Sequence, residues 1–462
     1  MDFNLNITVR IVFFVFGIVF LSAACAPVRR AAFYHNDLRR DIEKSPVFAR
    51  SLSGFVLMDG ENGQVLCEVN GAHYFTPAST TKILTLATCL AVLGDSVPAL
   101  LYLPVMEGSD PGFPIGLCFR GTGDPTFLHP DFQYWQPAAR LLREGGFLIF
   151  DKSNFREERF GPGWAWDDYN DHYSAERSGL PIHGNCVRLE RDSNVCDPDW
   201  IVEPAYFRQF LKSKDDYNLN DREIRRQEQS DTILLPYYHI ELLKPGYVID
   251  VPVWHAQEKA AALLQNRLGL SEMPLTEMGC GDLDYRTLYS APLDTVLRRM
   301  MYQSDNFVAD QMLLVCAGVK FDTLQQAPMI RWAKDSLFGA LPQPPRWVDG
   351  SGLSRYNLIS PRFEAGVLFQ LLQTQPRQRL LSFFPTPGMP NTTLDWWPAT
   401  PGERPWLFAK TGSMSGVQCM SGYLIGRNGK VLIFSFMHNN FVGSGRPVKE
   451  EMRRILETIH RH

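Results

Sequence analysis

The chain has 462 residues, 45% of them hydrophobic and 12% aromatic. That is enough apolar material for a large core and more than one compact domain holds, so two or three domains are expected. The net charge of −4 comes without any dense Lys/Arg tract, which excludes the electrostatic footprint of a nucleic-acid binder and favours a small or peptide-like partner.

Ile11 to Ala24 is almost wholly apolar, follows Arg10 and precedes Cys25, Ala26 and Pro27. The run is shorter than the roughly 20 residues of a membrane-spanning helix, and small residues close it. Residues 1–26 therefore read as an export signal that is removed, which directs the protein to the periplasm or cell envelope. Ala24-Cys25-Ala26 fits a small-x-small cleavage site. Ser22-Ala23-Ala24-Cys25 resembles a lipoprotein box, although Leu21 sits four rather than three residues before the cysteine. Cys25 is then either discarded or carries a lipid anchor. Eight cysteines follow, at 67, 89, 118, 186, 196, 280, 316 and 419, in a compartment where disulfides persist. None forms a C-x-x-C pair, so zinc is not expected. Cys186 and Cys196 are closest in sequence, but spacing alone leaves the pairing open.

A charged, helix-compatible stretch from Asn36 to Ala49 leads into two strand-like runs, Gly54 to Met58 and Gln64 to Val69. Asn62-Gly63 between them is a hairpin signal. Thr76-Pro77-Ala78-Ser79 then opens a helix that is apolar nearly all round as far as Gly94, and hence buried. From about Val97 to Asp282 the chain turns rich in Pro, Gly and aromatics with short strand-like runs and reads as an insertion. Within it Lys212 to Asp231, more than half charged, predicts a surface loop. Helical spacing returns from Asp294 to Leu314. Trp406 to Lys410, Val417 to Ile425 and Lys430 to Met437 predict three strands, and Pro447 to Ile459 a closing amphipathic helix. Hairpin in front and strands behind suggest one sheet assembled from both chain ends.

Ser79-Thr80-Thr81-Lys82 puts a hydroxyl and an amine on one helical face. Alone it means little, since Ser-x-x-Lys arises about once by chance in a chain this long. Ser304-Asp305-Asn306 and Lys410-Thr411-Gly412-Ser413 are each far rarer, and the order S-x-x-K, S-D-N, K-T-G is the signature of class A β-lactamases and penicillin-binding proteins. About 225 residues separate the first two serines, too many for a class A β-lactamase. The chain instead resembles the low-molecular-mass D-Ala-D-Ala carboxypeptidase/endopeptidase family, the class C penicillin-binding proteins of the S13 peptidase type. Gly121-Thr122-Gly123-Asp124-Pro125, Gly163 to Asp168, Tyr289 to Leu293 and Asp349 to Arg355 carry the same likeness, which spans about Phe55 to His438.

The resemblance implies an α/β (α+β) fold: a serine β-lactamase/transpeptidase-like domain, an antiparallel sheet flanked by helices, with a large insertion. The expected division is 27–96 with 283–462 for a discontinuous peptidase domain and 97–282 for one or two mainly β inserted domains. It also implies roles. Ser79 is the nucleophile, and Lys82 its base, which must be neutral to accept a proton and so needs burial and a neighbouring positive charge, with Lys410 the obvious one. Ser304 passes the proton to the leaving amine, and the Asn306 amide holds the substrate's peptide backbone. Lys410 attracts a terminal carboxylate, helped by the Thr411 and Ser413 hydroxyls, while Gly412 lets substrate approach the strand edge. The N–H groups of Ser79 and Ser413 form the oxyanion hole. By analogy, Asp168 recognises the amino group of a diaminopimelate-type side chain. No cofactor is implied. The partners implied are stem peptides ending in D-Ala-D-Ala or crosslinked through D-Ala, with β-lactams as acylating inhibitors. Two other readings are a serine β-lactamase, for which no deacylating glutamate is in view, and a non-catalytic peptidoglycan-binding or β-lactam-sensing module, which would have no need of all five polar residues. The ten histidines do not cluster at metal spacing, and Trp164, Trp166, Trp396 and Trp397 are either the lining of a sugar or peptide groove or, as expected here, interior packing.

Overall fold

The structure, a computed structural model, describes residues 33–106, 114–191, 200–214, 223–236, 246–270, 280, 284–400, 402 and 404–462. The expected signal segment 1–26 with Cys25, and Cys196, lie outside the described residues.

The charged N-terminal stretch is helical over Phe33–Leu38 and Arg39–Glu43 and then turns. The hairpin forms as β1 (Leu52–Asp59) and β2 (Val65–Val69), and the buried helix as α1 (Lys82–Val92), entered through a tight 3-10 turn, Ala78–Thr81. β3 (Ser96–Val105) then carries the chain into the insertion. There follow β4 (Gly116–Gly121), β5 (Phe147–Phe150), β6 (Cys186–Arg191), β7 (Trp200–Glu203), β8 (Leu211–Lys214), β9 (Arg225–Arg226), β10 (Ile233–Pro236) and β11 (Val248–Pro252), with helices Pro137–Glu144 and Ala256–Leu268. β12 (Arg286–Pro292) returns to pair with β3, giving a sheet of order β12-β3-β4-β5. That sheet therefore closes beyond residue 282. Two smaller sheets, β11-β6-β7 and β8-β10-β9, complete the region. A core drawn wholly from residues 99–268 fills it.

The stretch expected to be a loop, 212–231, contributes β8 in part and β9. Arg226 within it is buried because its guanidinium collects the carbonyls of Gln227, Glu228 and Ser230, and a rigid fork of donors suits that arrangement. Cys118 on β4 is disulfide-bonded to Cys280, 162 residues on, whereas Cys186 is a buried thiol. Closing so long a loop is worth about 4–5 kcal/mol in the chain-entropy account.

After β12 come α2 (Leu293–Tyr302) and α3 (Asn306–Phe321). One helix was expected over this stretch, and the structure breaks it at the second motif. Ser304 takes a left-handed φ of 59°, and Asp305 caps the new helix by accepting from the Val308 N–H at 2.9 Å. The helix α4 (Pro361–Thr374), the strands β13 (Leu407–Met414), β14 (Val417–Ile425) and β15 (Val431–Asn439), and α5 (Arg446–Arg461) finish the chain. The main sheet is wholly antiparallel in the order β13-β14-β15-β1-β2, so both chain ends do share one sheet. Its period-2 alternation divides two cores. On β1, Val56 and Met58 join the core of α1 and α4, while Phe55 and Leu57 join that of α5, with Met452, Ile455 and Leu456. Being covered on both faces is why these strands read as continuous apolar runs.

Candidate active site

Three elements meet where the 3-10 turn enters α1. Lys82 is 0% exposed, and its Nζ lies 3.0 Å from Ser79 Oγ, 2.6 Å from Asn306 Oδ1 and 2.7 Å from the Ser351 carbonyl. A neutral amine fits this set. Its two hydrogens go to the amide and carbonyl oxygens, which can only accept, and its lone pair is left facing the serine hydroxyl.

Burial pulls the Lys82 ammonium down to about 8, against the opposing pull of Asp310, then Asp349 and Asp305. Lys410 is likewise held well below the ordinary lysine value, first by its own burial and then by the charge of Lys82; repulsion between two ammonium groups is mutual, so charge on either amine favours the neutral form of the other. Lys82 differs because three carboxylates surround it. The Lys410 Nζ donates to Ser304 Oγ at 2.8 Å and to the Thr411 carbonyl at 2.7 Å.

Asn306 is more occupied than expected. Besides receiving Lys82 on Oδ1, its Nδ2 donates to the Tyr173 carbonyl of the insertion at 3.1 Å, which leaves one amide hydrogen for a ligand.

β13 is an edge strand, and its Ala409 N–H leaves the sheet to reach the Pro385 carbonyl at 3.1 Å. Alternation along the strand carries the N–H groups of Thr411 and Ser413 to the same free edge. Ser413 Oγ is 2.9 Å from Gln418 Oε1 on β14. Gly412 serves a purpose other than the one expected. A Cβ there would sit 2.6 Å from the Pro77 carbonyl and 2.9 Å from the Ser79 nitrogen, so the missing side chain lets the strand press on the chain's own 77–80 turn rather than admitting a ligand. The same turn holds a non-glycine residue, Ala78, at φ 49°. Backbone strain on both sides of the cleft, at Ala78 and Ser304, belongs to a site whose geometry is over-determined by its surroundings.

Beside these groups a cleft of about 1040 Å³ opens, lined by Ser79, Ser304, Thr411 and Ser413, and extending to Trp396 and the start of α5. Asp168 is not among the residues that line this cleft. Its Oδ1 accepts from the Tyr173 hydroxyl at 3.1 Å, and its carboxyl is raised, first by burial and then by Asp171 and Asp167, with the Tyr173 hydrogen bond and, less strongly, Arg355 opposing. Of the four tryptophans, Trp397 is buried and Trp164 donates to Asp349 Oδ2 at 2.9 Å, whereas Trp166 is 77% exposed.

In the sequence the 349–355 run carries a family likeness and no assigned role. In the structure Asp349 receives the N–H groups of Gly352 and Ser354, the Trp164 indole and the Asn357 amide, at 2.7–2.9 Å. Gly352, at φ 81°, faces the Ala78 carbonyl at a distance no Cβ would allow. The loop so formed presents the Ser351 carbonyl to Lys82. An Asp-Gly-Ser-Gly run signals a tight polar turn, but not where in space that turn lies.

The sequence model of the D-Ala-D-Ala carboxypeptidase 3 (S13) family matches residues 35–461. The chain is 25% identical over 427 residues to the D-alanyl-D-alanine carboxypeptidase DacB of Haemophilus influenzae, covering 84% of this chain and 85% of that one. It is 26% identical over 453 residues to a D-alanyl-D-alanine carboxypeptidase of Actinomadura sp., covering 88% and 82%. The crystal structure of penicillin binding protein 4 (dacB) from Haemophilus influenzae shares the fold, with a TM-score of 0.68 at 22% identity over 92% of this chain and 99% of that one.

Proposed function

The chain belongs to the D-Ala-D-Ala carboxypeptidase 3 (S13) family, and from that premise we propose how its own residues carry the reaction. It is a serine peptidase of the DD-carboxypeptidase/endopeptidase kind and acts on peptidoglycan stem peptides in the cell envelope. The observation that carries the residue assignment is the Ser79–Lys82–Asn306–Ser351 arrangement, in which the buried amine has two acceptors for its hydrogens and a lone pair for the serine.

Lys82, neutral, takes the Ser79 proton as Oγ attacks the carbonyl of the penultimate D-alanine. The oxyanion is held by the N–H groups of Ser79 and Ser413, each worth about 2.7–4 kcal/mol in comparable sites. As the C–N bond breaks, the proton passes to the departing amine by way of the Ser304 hydroxyl, which both donates and accepts. Water then attacks the ester and gives a proton to Lys82, which passes it to Ser79 Oγ as the acyl C–O bond breaks, restoring the free hydroxyl and the neutral amine. Lys410, with the Thr411 and Ser413 hydroxyls, attracts the terminal carboxylate. The discontinuous layout, 27–96 with 283–462 around an insertion beginning near 97, is supported by the separate inserted core. For Cys25 we retain the alternative of a lipid anchor.

The test is intact mass after incubation with benzylpenicillin. A stable one-to-one adduct is the expected outcome. Steady hydrolysis of the drug over many cycles would make the chain a β-lactamase, and neither adduct nor hydrolysis would leave a non-catalytic binder.

Asp168 is proposed to meet the amino group of a diaminopimelate-type side chain. Asp168→Ala is expected to lower kcat/KM about twofold to fivefold on stem peptides carrying that amine, as suits one partly exposed ion pair, and to leave analogues lacking the amine unchanged. An equal fall on both substrate types would remove Asp168 from recognition.

A further inference from the structure

Asp310 lies one helical turn beyond Asn306 on α3, so both face α1. It is 1% exposed. Its Oδ1 accepts from the Gly350 N–H at 2.9 Å and from Gln326 Nε2 at 3.0 Å. Gly350 is also held from the other side, by the Thr85 hydroxyl on its carbonyl at 2.7 Å. The next carbonyl along, that of Ser351, is the one that receives Lys82. Gln326 in turn accepts from Arg177 of the insertion at 3.1 Å. A line of buried polar contacts thus runs from the inserted region through Gln326 and Asp310 to the loop over the catalytic amine.

We propose that Asp310 is a positioning residue for acylation, whose buried carboxylate, fastened to the loop that covers Lys82, sets the pH at which Lys82 becomes a free base. A buried carboxyl group away from a direct cation is costly, and among the described residues Asp310 has no ion-pair partner; Arg177 reaches it only through Gln326. The charged and titratable groups around Lys82 are Asp305 and Asp310 from the 305–310 stretch, Asp349 from the loop, Lys410 from β13, and Ser79 on its own element. Among the carboxylates, Asp310 acts most strongly to keep Lys82 charged. Burial, with Asp349 next, raises the Asp310 carboxyl to about 6, so it is an anion in the range where Lys82 exchanges its proton. An anion beside an amine favours the ammonium. Taking that charge away makes the amine neutral at lower pH.

The inference rests on Lys82 being the base, and the experiment separates the two. Asp310→Asn keeps an oxygen for Gly350 and removes the charge. The pH dependence of the acylation rate by a chromogenic β-lactam is then measured for wild type, Asp310→Asn, Asp310→Glu and Lys82→Met. The acid limb of the Asn variant is expected to move down by about one unit, so that acylation below the wild-type midpoint is about tenfold faster, with the plateau within about threefold. Asp310→Glu should bring the limb back. A lower plateau with an unmoved midpoint would mean a purely structural aspartate and would overturn the proposal. Wild-type acylation in Lys82→Met would instead sink the reading of Lys82. Should Asp310→Asn fail to fold, carboxyl-¹³C aspartate labelling of the wild-type chain decides, with Asp310 assigned against Asp310→Glu. A carboxyl still protonated at pH 9 overturns the proposal, and one ionised between about 6 and 8 supports it.

Discussion

Ser79→Ala and Lys82→Met will each slow acylation by a β-lactam, and release of D-alanine, by at least about ten-thousandfold, and the double variant will be no slower than either. The reason is geometric. The Lys82 amine lies 3.0 Å from the Ser79 hydroxyl, and neither group has a use in the step without the other, so their losses do not add. In the wild type the rate should climb as pH rises through about 8, because only the neutral amine accepts a proton and burial has brought Lys82 to that value. At pH 7 about a tenth of the molecules are then poised to react. Lys82→Met leaves the Asn306 and Ser351 oxygens without a donor, at a cost of about 1–3 kcal/mol, so the protein should melt lower while remaining folded. Stopped-flow acylation with a matched thermal melt is the measurement. A double variant markedly slower than both singles would mean that serine and lysine act in separate steps.

Gly412→Ala will lower the acylation rate by about a hundredfold and also destabilise the fold. The added carbon would meet Pro77 O at 2.6 Å, Ser79 N at 2.9 Å and Thr80 N at 3.0 Å. All three are backbone atoms, so the strand or the turn must move. Displacement by about 1 Å of a nucleophile against its oxyanion donors costs on the order of a hundredfold, and overpacking typically about 1–3 kcal/mol. Gly94→Ala, where nothing lies within 4 Å, is the control and should match wild type in both respects. Gly412→Ala with wild-type acylation and melting would show that strand and turn are not in register as described.

Gly412 also marks where local sequence information runs out. Nothing around Gly412 distinguishes a glycine that admits a ligand from one that admits the chain's own backbone, because the neighbour is a turn more than 300 residues away. The interruption between α2 and α3 was hidden for another reason. Apolar residues keep helical spacing across the break, and periodicity follows burial rather than φ. Asp305 was the available signal, since an aspartate three residues before Val308 is a cap. On β13 the strand runs on to Met414, past the expected end at Lys410, because pairing with β14 continues from Leu407↔Leu424 to Met414↔Val417, and glycine and serine there are held by a partner strand rather than by their own propensity.

What the sequence determined by itself was whatever depends on short spacing or order along the chain. Ser79 and Lys82 share a face because three residues make about one helical turn, the apolar runs that fold into strands are local, and the three motifs in order select the family. What only the tertiary structure decided was every quantity set by neighbours distant in sequence: the carboxylates that act on Lys82, the disulfide between Cys118 and Cys280, the loop carbonyl of Ser351, the double engagement of Asn306, and the burial of both lysines. Electrostatic energies depend on distance and burial, and neither is written in the order of residues until the sheet has brought both ends of the chain together.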